Sequence, residues 1–517
     1  MEVQEPLEMF APPEAEAAQA IQSNKMGVQP EGRLLFTMSL PVVISMLLQA
    51  LYNIVDSIFV TRLSEDALTA VSLAYPIQML MIAVAVGTGV GMNALISRRL
   101  GQRRFDEASS AATNGLFVLL LSALAFLLFG LFGVRPFFNA FVADDPEIRE
   151  MGIEYLTICC TLSFGVFLQI GVERIMQAQG KTVYTMLMQL TGAVINIIFD
   201  PILIFGLLGF PRLGVAGAAY ATVGGQIVAM LLSFFLLFCT KHDVRIRLRR
   251  FRPSGAIIRK IYSVGAPSIV MQAIGTVMTL AMNALLIAYT TTAVAVFGVY
   301  FKIQSIVFMP VLGMTSAAMS IIAYNYGARC KRRMLRTWRL TLYASLVIMI
   351  VGMLCFQLFP GQIFSLFEAS DEALRIGMVA LRIISPSFVL AAVGITNSTL
   401  FQAVGRGVYS MIMSLLRQLV ALVPAALALS LLTHNLDRIW LAFPIAEAFS
   451  LAVSLFMLHR VRRTILDQLP ALAAPRWRNR ATTAQRRHDG ATAPRRRNRA
   501  TTAQPRHDGA VKIMLIF

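Results

Sequence analysis

Twelve apolar runs, each long enough to cross a bilayer, leave this chain few folds to choose from. They fall at roughly 34–61, 68–97, 112–134, 154–177, 183–208, 213–239, 258–288, 293–323, 338–360, 376–402, 408–432 and 436–459. About 20 residues at a rise of about 1.5 Å span about 30 Å of hydrocarbon. Lipid offers backbone groups no water to bond, so runs of this length must be helices, and the short alternating strands of an outer-membrane barrel are absent. Only 14% of residues are charged and mean hydropathy is +0.67, where soluble domains carry about 25% charge. The expected fold is an all-α polytopic membrane protein with twelve transmembrane helices.

The net charge of +19 does not point to nucleic acid, because its distribution follows topology. Arg98, Arg99, Arg103, Arg104, Lys181, the run from Lys241 to Lys260, the cluster from Arg329 to Arg339, and Arg406 occupy the loops after spans 2, 4, 6, 8 and 10. The intervening loops hold most of the acids, including Glu65, Asp66, Asp144, Asp145, Asp371 and Glu372. By the positive-inside rule the even loops and both termini are expected to be cytoplasmic. Residues 1–33 are acidic and proline-containing, the reverse of a signal-peptide n-region, and are expected to be a disordered tail. The five cysteines form no CxxC and read as small apolar residues. After about residue 466 an Arg-rich low-complexity tail repeats RNRATTAQ at Arg478 and Arg497.

Six spans, a basic loop at 241–257 and six more spans suggest duplication. QAQGKTVYTMLM from Gln177 matches QAVGRGVYSMIM from Gln402 at an offset of 225, and Pro41/Pro267, Gln78/Gln304 and Gly101/Gly327 pair at an offset of 226. An even number of spans separates the copies, so they point the same way and are related by an axis along the membrane normal. The expected domains are an N-lobe, 34–240, and a C-lobe, 258–465, in two pseudo-symmetric six-helix bundles around a central cavity.

Polar residues inside apolar spans are the informative minority, because an ionised group in a membrane helix costs about 2.5–3.5 kcal/mol even on the gentlest insertion scale. In span 1, Gln49, Asn53 and Asp56 lie at i, i+4 and i+7 on one helix face. In span 5, Asn196 and Asp200 share a face, with Pro201 next in line to free the Ile197 carbonyl. Thr222 and Gln226 share a face in span 6. Asp56 and Asp200 both fall in the outer half of outward-running spans, where two carboxylates sharing a poorly solvated site would titrate as a unit and carry protons. Elsewhere, Glu173 is expected to face the cavity while its neighbour Arg174 snorkels, Gln272 and Asn283 are further pocket candidates, and Lys302 and Glu447 are at similar depth, which allows a C-lobe ion pair. Arg417 has no evident partner in the sequence. No HExxH, GxSxG, Walker A or Cys/His cluster is present, so neither an enzyme, a metal centre nor a nucleotide-driven pump is expected.

The segments LYNIVDSIFVTRL, QAQG and QAVG, NIIFDPILIFGLLG, LGVAGAAYAT and WLAFPIAEAFS together resemble the multidrug and toxin extrusion (MATE) transporters, most of all their MepA-like bacterial branch. The resemblance covers roughly residues 34–465. It implies export of cationic or amphiphilic compounds in exchange for H⁺ or Na⁺, with no other cofactor. It also implies a cation cluster on Asp56, Asp200 and Asn196, with Thr222 beside it. Spans 7 and 10 lack the acids that another branch uses, so the second half is not expected to hold such a site. The alternative is a flippase for a lipid-linked glycan or other amphiphile. The expected setting is the bacterial inner membrane, with the protein acting as a monomer.

Overall fold

The computed structural model describes residues 24–141, 145–246, 251–365, 367 and 370–468. The Arg-rich tail and the first 23 residues lie outside these, as do the side chains of Asn53 and Asp56 within their helix. The first half comprises α1 (Glu31–Leu63), α2 (Glu65–Gly101) and α3 (Phe105–Leu128), then α4 (Pro146–Thr161), α5 (Phe164–Ala178), α6 (Thr182–Phe205) and α7 (Val215–Cys239). The second half comprises α8 (Gly255–Ile287), α9 (Thr291–Gly327), α10 (Lys331–Leu358) and α11 (Asp371–Ile384), then α12 (Ser387–Ala403), α13 (Gly407–Leu415), α14 (Val423–Thr433) and α15 (Ala442–Val461). Among the described residues, 10 helices are long and apolar enough to cross a membrane, or up to 12 if each of two bent pairs counts as one span.

Those bent pairs are the fourth and tenth apolar runs. The helices α4 and α5 meet at 42°, and α11 and α12 at 53°. Pro386 explains the second break, since a proline ring clashes with helical backbone before it. The fourth run has no proline at its break, and its α4 starts with Asp145 accepting from the N–H groups of Glu147 and Ile148 (3.0 and 3.2 Å).

Packing between the halves obeys the repeat offset. A Cβ on Gly101 would lie 2.0 Å from the Tyr324 carbonyl oxygen, and one on Gly327 would lie 2.1 Å from the Arg98 carbonyl oxygen. Gly87 presses on Ile269 in the same way that Gly313 presses on Val43. In each case adding 226 to one residue and subtracting it from its partner generates the other contact, which is the signature of a two-fold axis between copies. All four glycines are placed where backbone meets backbone or side chain with no room for a methyl group.

The apolar cores follow the same division. One cluster joins both halves at the end carrying the basic loops, drawing on Met92, Leu95, Ile96, Ile261, Ile321 and Tyr324. A second belongs to the other end of the second half, around Phe297, Tyr300, Phe388 and Trp440, and a third to the other end of the first half, around Phe138, Leu156 and Val215. The halves are therefore welded at the basic end and have separate cores away from it.

Residues 24–33, expected in a disordered tail, are folded and cross the weld. Asn24 caps a short turn, Lys25–Val28, and its Nδ2 donates to Asp243 of the first half (3.1 Å). From the second half, Asn325 Nδ2 donates to the Met26 carbonyl (3.2 Å), Arg333 donates to the Gln29 carbonyl (2.6 Å), and Glu31 pairs with Arg333 (3.5 Å). Beside this strap Lys181 Nζ donates to His242 Nδ1 (2.9 Å) and to the Lys241 carbonyl. Burial holds His242 below its ordinary value of 6.5 and Lys181 below its ordinary 10.5, consistent with a neutral imidazole accepting from an ammonium.

Two outcomes follow from the weld. Gly101→Val should lower the thermal unfolding temperature in detergent, since overpacking costs about 1–3 kcal/mol, whereas Gly224→Ala, with nothing within 4 Å of the added methyl, should leave it unchanged or raise it. His242 resists a proton that the unfolded chain accepts near pH 6.5, so local stability should fall as pH drops through that value. Amide exchange over residues 240–246, corrected for intrinsic rates, should accelerate between about pH 7.5 and 5.5, and His242→Gln should flatten that response.

Candidate functional site

In the first half, α6 and α7 touch through glycine. A Cβ on Gly225 would lie 2.7 Å from the Gly192 carbonyl oxygen and 3.5 Å from the Asn196 Cβ. This close approach places Asn196 of α6 against Thr222 of α7. With its amide oxygen turned to Thr222, Asn196 accepts from the Thr222 hydroxyl (3.1 Å) and backbone N–H (3.2 Å), while its NH2 donates to Asp200 at 3.1 Å. That orientation gives donors to acceptors at both ends of the amide. Asp200 is 0% exposed and Asn196 3%.

The helix bearing Asp56 packs along α6. Asp56 stands 7 residues before the end of α1 and Asp200 5 before the end of α6, so both are within about 10 Å of the same end of the bundle. Gln226 lies one turn beyond Thr222, half-buried and without a hydrogen-bond partner among the described residues. Gln49, on the shared face with Asn53 and Asp56, is exposed.

Glu173 is buried and accepts from Gln189 Nε2 (2.9 Å). Arg174 does not snorkel. It is buried, and its Nη1 donates to Gln177 (2.8 Å) and to Ser316 of the second half (3.0 Å). Asn93 Nδ2 donates to Gln177 (3.1 Å), and the Ser320 hydroxyl donates to Asn93 (3.0 Å). This polar seam fastens the halves at the basic end. The sequence held no signal for it beyond the individual polar letters, because its partners across the two halves are 139 to 227 residues apart.

The expected pair of Lys302 and Glu447 does not form. Glu447 of α15 instead accepts from Arg417 Nη1 at 2.7 Å, and Arg417 sits in a π-helical stretch, Leu416–Leu422. The reason lies in α9: Tyr300, packed on Phe443 of α15 with ring centroids 6.0 Å apart, takes the face toward α15. Lys302, two residues on and about 200° around the helix, is exposed. Gln272 is also exposed, and Asn283 is half-buried. Because the ion pair is mostly withdrawn from water (side chains 30% and 14% exposed), Arg417→Met should destabilise by about 1–3 kcal/mol, and adding Glu447→Gln should restore part of the loss. A thermal double-mutant cycle measures this.

The sequence profile of the family described as MatE matches residues 41–202 and again 267–427, at the spacing of the internal repeat. The FAD transporter of Shewanella oneidensis is 26% identical over 422 residues, covering 81% of this chain and 92% of that protein. The multidrug export protein MepA of Staphylococcus haemolyticus is 27% identical over 432 residues, covering 83% and 93%. An outward-facing multidrug resistance MATE transporter of the MOP superfamily superposes with a TM-score of 0.81 at 29% identity, covering 88% of this chain and 99% of that one. A MOP superfamily transporter from Pyrococcus furiosus superposes with a TM-score of 0.80 at 29% identity, again over 88% and 99%. With two copies of the family's helical unit packed about a pseudo-two-fold, and a profile match across both, the chain belongs to the MatE family of multidrug efflux transporters.

Proposed function

We propose that this protein is a secondary active exporter that exchanges H⁺ or Na⁺ for cationic or amphiphilic compounds by alternating access, with Asp56, Asp200 and Asn196 as the ion-coupling cluster. The observation that carries the reading is Asp200: fully buried, bonded by Asn196, and on a helix packed along the one that bears Asp56. In this reading the basic end is cytoplasmic, the lobes are residues 34–240 and 258–465, and the protein works as a monomer in a bacterial inner membrane. The weld at the basic end then seals the cavity from the cytoplasm, and the diverging end faces outward.

The cycle follows from charge. An ionised cluster at the bottom of an outward-facing cavity attracts a cationic compound. A proton or Na⁺ arriving at Asp56 and Asp200 removes that charge, and the compound leaves. Linkage is reciprocal, so protonation must weaken drug binding by the factor by which drug weakens proton binding. The staphylococcal relative, a multidrug export protein, agrees with this direction of transport.

In proteoliposomes, a fluorescent cationic dye should be moved by an imposed pH or Na⁺ gradient. Asp56→Asn and Asp200→Asn should each abolish gradient-driven movement while the protein is still made and purified in folded form. Wild-type rates in either variant would refute the assignment.

A further inference from the structure

The second half presents a wall whose charge is opposite to that of the first-half cluster. Along α9, Gly298, Lys302, Ile306, Gly313, Ser316 and Ser320 recur at steps of three, four or seven residues and so share one face. At the basic end this face looks at the first half: Ser320 bonds Asn93, Ser316 bonds Arg174 and Gln177, and Gly313 packs on Val43. Followed away from that end, the same face opens. Ile306 is 55% exposed, Lys302 is exposed, and a Cβ on Gly298 would meet nothing within 4 Å. A face that is buried against the other half at one end and bare at the other is the wall of the cleft between them.

Lys302 is 11 residues into α9 from Thr291, about 16 Å along the axis. Its side chain is too short to reach the end of the span, so its ammonium stays at that depth, on the helix face that meets the first half nearer the basic end. Among the described residues it has no ion pair and no hydrogen bond. Neither α8 nor α9 contains an Asp or Glu. The companion wall is similar. Gly265 and Ile269 of α8 pack on Gly87, and the same α8 face continues outward through Gln272, Thr276 and Asn283, neutral groups that can donate or accept.

We infer that this wall is a recognition site for an oxyanion, a carboxylate or phosphate carried by an amphiphilic substrate, with Lys302 as its charged anchor and Gln272 and Asn283 as hydrogen-bond donors. The inference rests on the exporter reading above and names a substrate class within it. Amphiphiles with an anionic group, zwitterions among them, set that group on the second half and direct any cationic group toward the first-half carboxylates.

Three dansyl compounds with one fluorophore separate charge from ring binding: dansylglycine, dansylamide and dansylcadaverine, carrying a carboxylate, no charge and an ammonium. Binding is measured by fluorescence on the full chain in phosphatidylcholine nanodiscs, which supply no net-anionic lipid. Wild-type protein should bind dansylglycine at least about tenfold more tightly than dansylamide. Lys302→Met should erase that difference without altering dansylamide binding, and Lys302→Arg should retain it. Equal affinities in the wild type, or an equal loss for both compounds in Lys302→Met, overturn the inference. Dye movement in proteoliposomes distinguishes the two readings. Normal gradient-driven export with no dansylglycine preference refutes the oxyanion site alone. Lys302-dependent dansylglycine binding in a protein that exports nothing refutes the exporter reading and leaves the site standing.

Discussion

The contact on which the rest of the structure depends is the backbone approach of Gly101 to Tyr324 and its repeat image, Gly327 to Arg98. Without an aqueous hydrophobic driving force between helices, membrane bundles gain stability from close packing and interhelical hydrogen bonds, and both need small residues at the crossing. Here the glycines bring the helices together, and the seam of Arg174, Gln177, Asn93, Ser316 and Ser320 adds the hydrogen bonds. Because both devices lie at the basic end, the remaining length of α2 and α9 is free to diverge. The cleft is what remains when two long helix pairs are joined only at one end.

Much of this was legible in the sequence, for identifiable reasons. A helix in lipid must be apolar for its whole length, so the spans stand out. The offset of 226 between Gly101 and Gly327 is also the operation that exchanges their contacts, so the repeat carried three-dimensional information. Asn196 and Asp200 could be placed on one face because four residues is nearly one helical turn. What was hidden has one cause, a dependence on partners distant in the chain. Depth alone allowed Lys302 to meet Glu447, yet the azimuth of α9 turns Tyr300 toward α15 and leaves Arg417 as the partner. Arg174 could have snorkelled from its position near a span end, but the first half holds it against Ser316. The bend between α4 and α5 carried no proline to announce it, whereas Pro386 marked the equivalent bend in the second half.

Duplication gives two scaffolds of one shape, and the halves have filled them with different chemistry. Under the 226 offset Asp56 corresponds to Met282, which is 1% exposed within the apolar core of the second half. Lys302 corresponds to Pro76, on a first-half helix that has no cation over most of its length. The acids that survive in membrane depth are thus confined to the first half, apart from Glu447, which is neutralised by Arg417. One consequence is electrostatic economy. Carboxylates facing uncommitted cations across a low-dielectric cleft would pair strongly and hold the halves shut, since the attraction grows as water is excluded. Asp200 is buried under Asn196 and α7, whereas Lys302 is exposed. In the proposed exporter, a compound entering between the halves would meet a positive wall directly and a negative site only at depth, so that ion coupling and substrate choice would rest on separate residues of the two halves.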